Sequence, residues 1–246
     1  MTQKTGTLYG IGVGPGDPDL ITIKAAKILN QVDLVFAAAS TKNDHSLAVN
    51  IAREHIPSSA TVIKLKFPMT RDKDATRKAW KEHARTIIAE LEKGRNVAFL
   101  TLGDSMTYST YGYILKYVLT LAPHLDAQTV PGITSYQAAA ARLNTPLVEG
   151  EESLMIVSGV KGGNRLRELS AKPENIVFLK AYRNVTDIKA AIDESGNYPS
   201  CVGVKSCGHP DEEIIKDIDE LSRREPDYWT LILTKQTTNN GSSEKR

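Results

Sequence analysis

The stretch Gly10-Ile-Gly-Val-Gly-Pro-Gly-Asp-Pro-Asp-Leu-Ile-Thr22 decides the fold class of this chain. It begins within a short apolar run over 7–13 and leads into a helical pattern over 20–29. A second segment, Leu102-Gly-Asp-Ser-Met-Thr-Tyr-Ser-Thr-Tyr111, also joins an apolar run to a helical pattern. Both segments are therefore expected at the carboxyl-terminal edge of a parallel sheet, where open α/β folds bind ligands.

Strand and helix patterns alternate along the rest of the chain as well. Before residue 148, strands are expected at 32–39, 61–67, 96–102 and 127–130, and helices at 45–55, 75–93, 109–121 and 135–143. After it, strands are expected at 153–158, 175–182, 200–205 and 229–235, and helices at 164–169, 186–194 and 211–223. We predict an α/β fold of two α/β domains, 1–147 and 148–236, with a ligand cleft between them. The polar segment 237–246 has the composition of a disordered tail.

The bulk composition excludes several classes of protein. Of 246 residues, 41% are hydrophobic and 24% charged, which is ordinary for a globular protein. A net charge of +2 argues against nucleic acid as the partner. No apolar stretch reaches membrane-spanning length, and residues 1–6 contain no apolar signal core, so a cytoplasmic protein is expected. The spacing of Cys201 and Cys207 fits no zinc or redox motif, and no metal site is predicted.

The glycine pattern disfavours a nucleotide-phosphate site. Four glycines alternate along the opening segment, namely Gly10, Gly12, Gly14 and Gly16. Neither of the first two starts a G-x-G-x-x-G fingerprint, because Pro15 and Asp17 occupy the third glycine positions. Asp17 would also repel a phosphate at this helix start. A dinucleotide-dependent oxidoreductase is thus a weaker alternative, and the glycines serve either a tight turn or a close ligand approach.

Four segments in order carry a resemblance to a known family. They resemble the signatures of the tetrapyrrole (corrin/porphyrin) methylases. These segments are the opening segment, Leu102-Gly-Asp-Ser105, Val130-Pro-Gly-Ile-Thr-Ser135, and Tyr182 after a strand. The resemblance spans about residues 7–235. Three further segments are similar to sequences of the branch that methylates carbon 20 of precorrin-2 or cobalt-precorrin-2 in cobalamin biosynthesis. They are the 103–111 loop, Lys66-Phe-Pro-Met69 and the segment 139–147. Uroporphyrinogen-III methylases usually carry Tyr-Asp where this chain has Phe36-Ala37-Ala38, which argues against that branch.

The resemblance implies S-adenosylmethionine as methyl donor, a tetrapyrrole as acceptor and a homodimer. It also implies donor contacts, largely through main-chain groups, at Leu102, Gly103, Asp104, Met106, Thr107, Thr134, Ser135, Tyr182, Cys207, Thr230 and Leu231. Such methyl transfer needs no acid for the leaving group and no catalytic triad, and the departure at Phe36-Ala37-Ala38 leaves any general base unassigned. A sibling methyltransferase acting at another corrin position is the nearest alternative.

Several of these residues keep two interpretations. Asp104 and Ser135 either cap helices or contact the donor, and Tyr182 either packs at a sheet end or contacts the donor. Tyr108 either packs or touches the macrocycle. Two basic groups either bind the substrate carboxylates or form solvated faces, namely Lys64, Lys66, Arg71, Lys73, Arg77, Lys78 and Lys81, and Lys161, Arg165 and Arg167.

Overall fold

The computed structural model describes residues 4–40, 46–68, 70, 72–196 and 198–236. Contacts divide the chain into two compact units, Met1–Thr134 and Ser135–Arg246. The predicted boundary after residue 147 stays a prediction, and the predicted tail 237–246 lies outside the described residues. Within the described residues, no helix has the length and apolar character needed to cross a bilayer.

The first unit is built on a parallel sheet. Its strands are β1 (Thr7–Gly12), β2 (Leu34–Ser40), β3 (Thr61–Phe67), β4 (Val97–Thr101) and β5 (Asp126–Val130). The helices between them are α1 (Ile23–Leu29), α2 (Leu47–Ala52), α3 (Lys73–Glu92) and α4 (Tyr111–Leu121). In the described part of the chain, the strand order is β3-β2-β4-β1-β5.

Helices cover both faces of this sheet, which explains why its central strand is apolar from Val97 to Leu100. Val97 and Phe99 of β4 pack with residues of α3 and α4. Ala98 and Leu100 point to the opposite face and pack with residues of α1 and α2. Because successive strand residues alternate between the two faces, an uninterrupted apolar run is needed to supply both cores.

The strand order places a topological switch point between β1 and β4. The two strands are neighbours, and Gly12 pairs with Thr101 at their carboxyl ends. The connection after β1 leads across β4 to β2, whereas the connection after β4 leads across β1 to β5. The two connections therefore lead away from this point in opposite directions, and open α/β sheets bind ligands at such points.

The second unit contains a mixed sheet. Its strands are β6 (Leu154–Ser158), β7 (Asn175–Leu179), β8 (Ser200–Lys205), β9 (Glu213–Ile215) and β10 (Leu231–Lys235). Its helices are α5 (Ser135–Arg142), α6 (Asn164–Arg167), α7 (Val185–Ser195) and α8 (Ile218–Arg223). Among the described residues the order is β6-β7-β10-β8-β9, with β10 antiparallel to both neighbours. The predicted α/β class with two sheets is confirmed.

Two local predictions are wrong. The helical pattern over 20–29 starts too early: Asp17 caps a short 3-10 turn at Pro18–Leu20, and α1 begins only at Ile23, where the Thr22 hydroxyl accepts a hydrogen bond from the Ala25 amide at 3.2 Å. The segment 211–223, expected to be one helix, splits into β9 and α8. Asp217 separates them, since its carboxylate accepts from the Asp219 amide and so starts a new helix.

Candidate functional site

Three glycines allow the loops at the switch point to touch. A side-chain carbon on Gly12 would lie 2.6 Å from the Gly132 nitrogen and 2.7 Å from the Gly103 oxygen. One on Gly132 would lie 2.2 Å from the same Gly103 oxygen. These distances are shorter than any real carbon contact, so the loops after β1, β4 and β5 can pack this closely only through bare backbone.

The opening glycines also have structural functions. Gly14 adopts a φ of +86°, and its backbone pairs with that of Gly103 through hydrogen bonds of 3.2 and 2.7 Å. The position of Gly10 leaves room for the Tyr111 ring, which a side-chain carbon would contact at 2.0 Å. The ring is fully buried, and this burial raises the pKa of the Tyr111 hydroxyl. These glycines therefore hold the loops in place.

The Asp104 carboxylate connects two of these loops. Its Oδ1 accepts hydrogen bonds from the Met106 amide at 2.9 Å and the Thr107 hydroxyl at 3.1 Å. Its Oδ2 accepts from the Gly132 amide at 3.0 Å. The next helix, α4, begins only at Tyr111, so the helix-cap interpretation of Asp104 is wrong. The carboxylate instead fixes the loop after β4 against the loop after β5.

A buried hydroxyl pair, which the sequence analysis did not identify, supports the same loops from below. The Thr101 hydroxyl donates to the Ile11 carbonyl at 3.2 Å, and the Ser105 hydroxyl donates to the Val130 carbonyl at 3.3 Å. Both hydroxyl residues are buried, Ser105 completely. The only sequence signal was a polar residue at the end of an apolar strand.

The surface of the loop after β4 carries the remaining predicted residues. Met106 is 61% exposed and Tyr108 53% exposed, whereas Leu102, Gly103 and Thr107 are half-buried. A side-chain carbon on Gly103 would have the Ile133 oxygen, 3.9 Å away, as its nearest neighbour. Open space therefore lies beside bare backbone at Gly103, while Thr134 of the neighbouring loop is buried.

In the second unit, strand direction brings four predicted residues to one end of the sheet. Tyr182 follows β7 and Cys207 follows β8, which leave the sheet at the same end. Thr230 and Leu231 lie there too, because β10 runs antiparallel and starts where its neighbours stop. Leu231 pairs with Leu179 on one side and Val204 on the other. Ser135 begins α5, whose Ala139 packs with Val204, Cys207 and Leu231.

Asp227, which the sequence analysis did not identify, organises this end of the sheet. Its Oδ1 accepts from the Trp229 amide at 2.9 Å, and its carbonyl accepts from the Thr230 hydroxyl at 2.7 Å. Its Oδ2 lies 3.7 Å from the Lys205 ammonium. The Asp-x-x-Thr spacing was a turn signal that could have identified it.

The thiol of Cys207 at this end of the sheet has a perturbed pKa. Burial, followed by the charge of Glu212, raises the pKa of the Cys207 thiol to about 12. The Cys207 thiol is therefore uncharged at neutral pH. In the described ranges, no three His, Cys, Asp or Glu residues lie close enough together to hold a metal ion.

Part of the predicted basic surface is engaged within the protein. Arg167 pairs with Asp187 at 3.0 Å and Glu194 at 2.7 Å, and Arg165 pairs with Glu168 at 2.9 Å. The Arg167 network fixes the connection after β6 on α7. Arg77 pairs with Asp74 on the exposed face of α3, and Arg71 lies outside the described residues.

The fold and its switch-point loops define the chain as an α/β ligand-binding protein of two units. It belongs to the tetrapyrrole (corrin/porphyrin) methylases, because the model of that family matches residues 7–222. The cobalt-precorrin-2 C(20)-methyltransferase of Salmonella typhimurium is 33% identical over 233 residues, which cover 94% of this chain and 97% of the relative.

Two further proteins extend the comparison. The precorrin-2 C(20)-methyltransferase of a Sinorhizobium species is 30% identical over 237 residues, covering 93% of this chain and 94% of the relative. The crystal structure of a cobalamin-synthesis-related protein from Corynebacterium diphtheriae has a TM-score of 0.73 at 20% identity, covering 94% of this chain and 99% of that chain. The last similarity supports the fold alone.

Proposed function

We propose that this chain transfers a methyl group from S-adenosylmethionine to carbon 20 of precorrin-2 or cobalt-precorrin-2. The observation that carries the proposal is the 33% identity to the Salmonella typhimurium cobalt-precorrin-2 C(20)-methyltransferase along nearly the whole of both chains. The similarity to a precorrin-2 C(20)-methyltransferase supports the same carbon position. Because relatives of both kinds match, the proposal covers the metal-free and the cobalt-containing substrate.

The residues of each unit that we assign to the donor fit such a molecule. The amino acid and nucleoside parts of the donor need hydrogen bonds at fixed distances, and bare backbone supplies them. The open space beside Gly103, at φ +68°, lets a molecule approach the loop after β4 closely, while the Gly103 amide and carbonyl themselves pair with Gly14. We assign Leu102, Gly103, Asp104, Met106, Thr107 and Thr134 of the first unit and Ser135, Tyr182, Cys207, Thr230 and Leu231 of the second.

Methyl transfer requires the protein to position the donor and the acceptor more than to transfer protons. The sulfonium donor supplies an electrophilic methyl group and leaves as a neutral thioether, so no acid is needed for the leaving group. The protein must hold donor and acceptor carbon in line and close together, which accounts for a large part of the rate. The fixed glycine loops and the Asp104 hydrogen bonds suit that task, and Asp104 acts as a positioning residue.

The test is product analysis after incubation with the donor and either precorrin-2 or cobalt-precorrin-2 without oxygen. We expect a product heavier by one added methyl group, with NMR placing the new carbon at position 20. A methyl group at another ring position would identify a sibling enzyme. Calorimetry should detect S-adenosylhomocysteine but not a nicotinamide dinucleotide, and the reverse result would overturn the proposal.

The homodimer and the cytoplasmic location remain parts of the proposal. The dimer is implied by the family, and sedimentation equilibrium tests it directly. A single species of monomer mass across the micromolar range would contradict it.

A further inference from the structure

Three aromatic side chains meet at the end of the second sheet. The Tyr182 and Tyr228 ring centres are 5.4 Å apart at an interplanar angle of 62°, and those of Tyr228 and Trp229 are 5.1 Å apart at 84°. Tyr182 is half-buried, but Tyr228 and Trp229 are 42% and 44% exposed. We refer to these three residues as the aromatic ladder. Large aromatic side chains placed together on a surface are typical of binding sites.

Two cations lie over the aromatic ladder. The Arg183 guanidinium lies 5.2 Å from the centre of the Tyr182 ring, and the Lys180 ammonium lies 5.8 Å from that of Tyr228. A guanidinium on a ring face keeps N–H groups at its edge that can bind carboxylates. Lys180 also adopts a φ of +58°, a strained conformation for a residue with a side chain. The ladder is therefore an aromatic surface with positive charge.

The segment that carries the outer rings is fixed. Hydrogen bonds from Trp229 and Thr230 to Asp227 close a tight turn immediately before β10. The Thr230 carbonyl in turn accepts from the Ala181 amide at 3.0 Å, which ties the turn to the loop after β7. The outer rings are thus exposed on a rigid turn, and a rigid aromatic surface loses little conformational entropy on binding.

We propose that Tyr228 and Trp229 form an aromatic platform for the tetrapyrrole, which contacts one ring by its face and the other by its edge, with Arg183 and Lys180 binding its carboxylates. This inference rests on the proposed function and adds residues that determine substrate affinity. A reduced tetrapyrrole with acetate and propionate groups is large, apolar in its ring and strongly anionic at its rim. The platform matches both properties.

The experiment compares Tyr228→Leu and Trp229→Leu with the conservative Tyr228→Phe. Precorrin-2 binding to the protein saturated with S-adenosylhomocysteine is followed by absorbance without oxygen, and KM values for precorrin-2 and the donor are measured separately. We expect each leucine variant to weaken precorrin-2 binding roughly tenfold, at the lower end of the effect of losing one aromatic contact. The affinity for S-adenosylhomocysteine should stay within about twofold, which also reports on folding. Tyr228→Phe should bind precorrin-2 like the wild type.

Two further variants make the test specific. Arg183→Gln should weaken precorrin-2 binding and reduce its dependence on salt, because one charged contact is lost. Tyr113→Leu is the matched control, since Tyr113 is also an exposed aromatic residue, 51% accessible and stacked on Trp80. It should change neither affinity.

Each other outcome overturns the inference. Leucine variants that bind precorrin-2 as the wild type does would exclude the platform while leaving the proposed function intact. Leucine variants that lose S-adenosylhomocysteine and keep precorrin-2 would assign the Tyr228 and Trp229 rings to the donor site instead. A wild-type protein that neither binds nor methylates precorrin-2 or its cobalt complex would overturn the proposed function and the inference with it.

Discussion

Replacing Asp104 by alanine should damage both the stability of the fold and the binding of the methyl donor. The substitution removes three acceptor contacts, to the Met106 amide, the Thr107 hydroxyl and the Gly132 amide, at 2.9 to 3.1 Å. A hydrogen bond to a charged group contributes about 1.5–3 kcal/mol. Water can replace the contact at exposed Met106, which leaves two contacts at the lower end of that range. We therefore expect a loss of about 2–4 kcal/mol in the free energy of unfolding, or about 5–15 °C in Tm.

Two milder variants divide this loss among the contacts. Asp104→Asn keeps an acceptor for Met106 and Thr107 if its amide group turns toward Gly132, where it offers no acceptor to that N–H group. Thr107→Val removes a single contact and keeps the carboxylate. We expect both variants to unfold between the wild type and Asp104→Ala. Urea unfolding at neutral pH, followed by circular dichroism, measures the series.

Calorimetry with S-adenosylhomocysteine then tests the function of the same carboxylate. Asp104→Ala should weaken binding by roughly 1–3 kcal/mol, about 5- to 150-fold, because the loop that we assign to the donor loses its anchors. Wild-type stability combined with lost affinity would mean that the carboxylate contacts the donor directly. Wild-type stability and affinity together would refute the assignment of Asp104 as the residue that holds these loops.

Three further predictions concern the rest of the chain. Gly12→Ala should lower the unfolding free energy by about 3 kcal/mol or more, because its added carbon would lie 2.6 Å from backbone. The control Gly112→Ala, whose added carbon meets no atom within 4 Å, should unfold at the same urea concentration as the wild type or at a higher one. Urea unfolding compares the two variants. Burial raises the pKa values of the Cys201 and Cys207 thiols to about 12. Ellman's reagent near pH 8 should therefore label neither native thiol and both after denaturation, and stability should fall as the pH rises above about 9, since the unfolded thiols ionise near 8.5. A backbone hydrogen bond and a neighbouring guanidinium lower the pKa of Asp187. The Asp187 carboxylate therefore contributes to the free energy of unfolding above about pH 4, and this contribution is lost as the pH falls further. In urea unfolding, the stability of Asp187→Asn should fall less steeply with acid than that of the wild type, and an equal fall would contradict this.

The strands that could be predicted from the sequence are those with strong local boundaries. The strands at 61–67 and 200–205 have the predicted bounds, because an apolar run begins just after a turn signal in each case. The strand β9 was missed because it has three residues and, within the described part of the chain, pairs only with β8. The conformation of such a strand depends on its neighbour in the sheet, so no local sequence pattern predicts it.

The site shows the same division between local and distant causes. Glycine spacing alone excluded a dinucleotide fingerprint, because that argument needs only local geometry. The contacts of Asp104 depend on Gly132, 28 positions along the chain, so a cap remained a reasonable local interpretation of the carboxylate. Arg167 likewise finds its acidic partners 20 and 27 positions away, on α7.

Strand direction is the property that most affects the second unit and that a single sequence reveals least. An apolar run predicts a strand equally well in either direction, but direction decides which end of the sheet carries its flanking residues. Had β10 run parallel to β7, its five residues, at about 3.3 Å each, would have carried Tyr228 and Trp229 about 16 Å away, to the far edge. Because it runs antiparallel, the Tyr228 ring contacts Tyr182 after β7, and the Trp229 ring contacts Tyr228. The aromatic ladder, and with it the proposed platform, is thus a consequence of one strand direction.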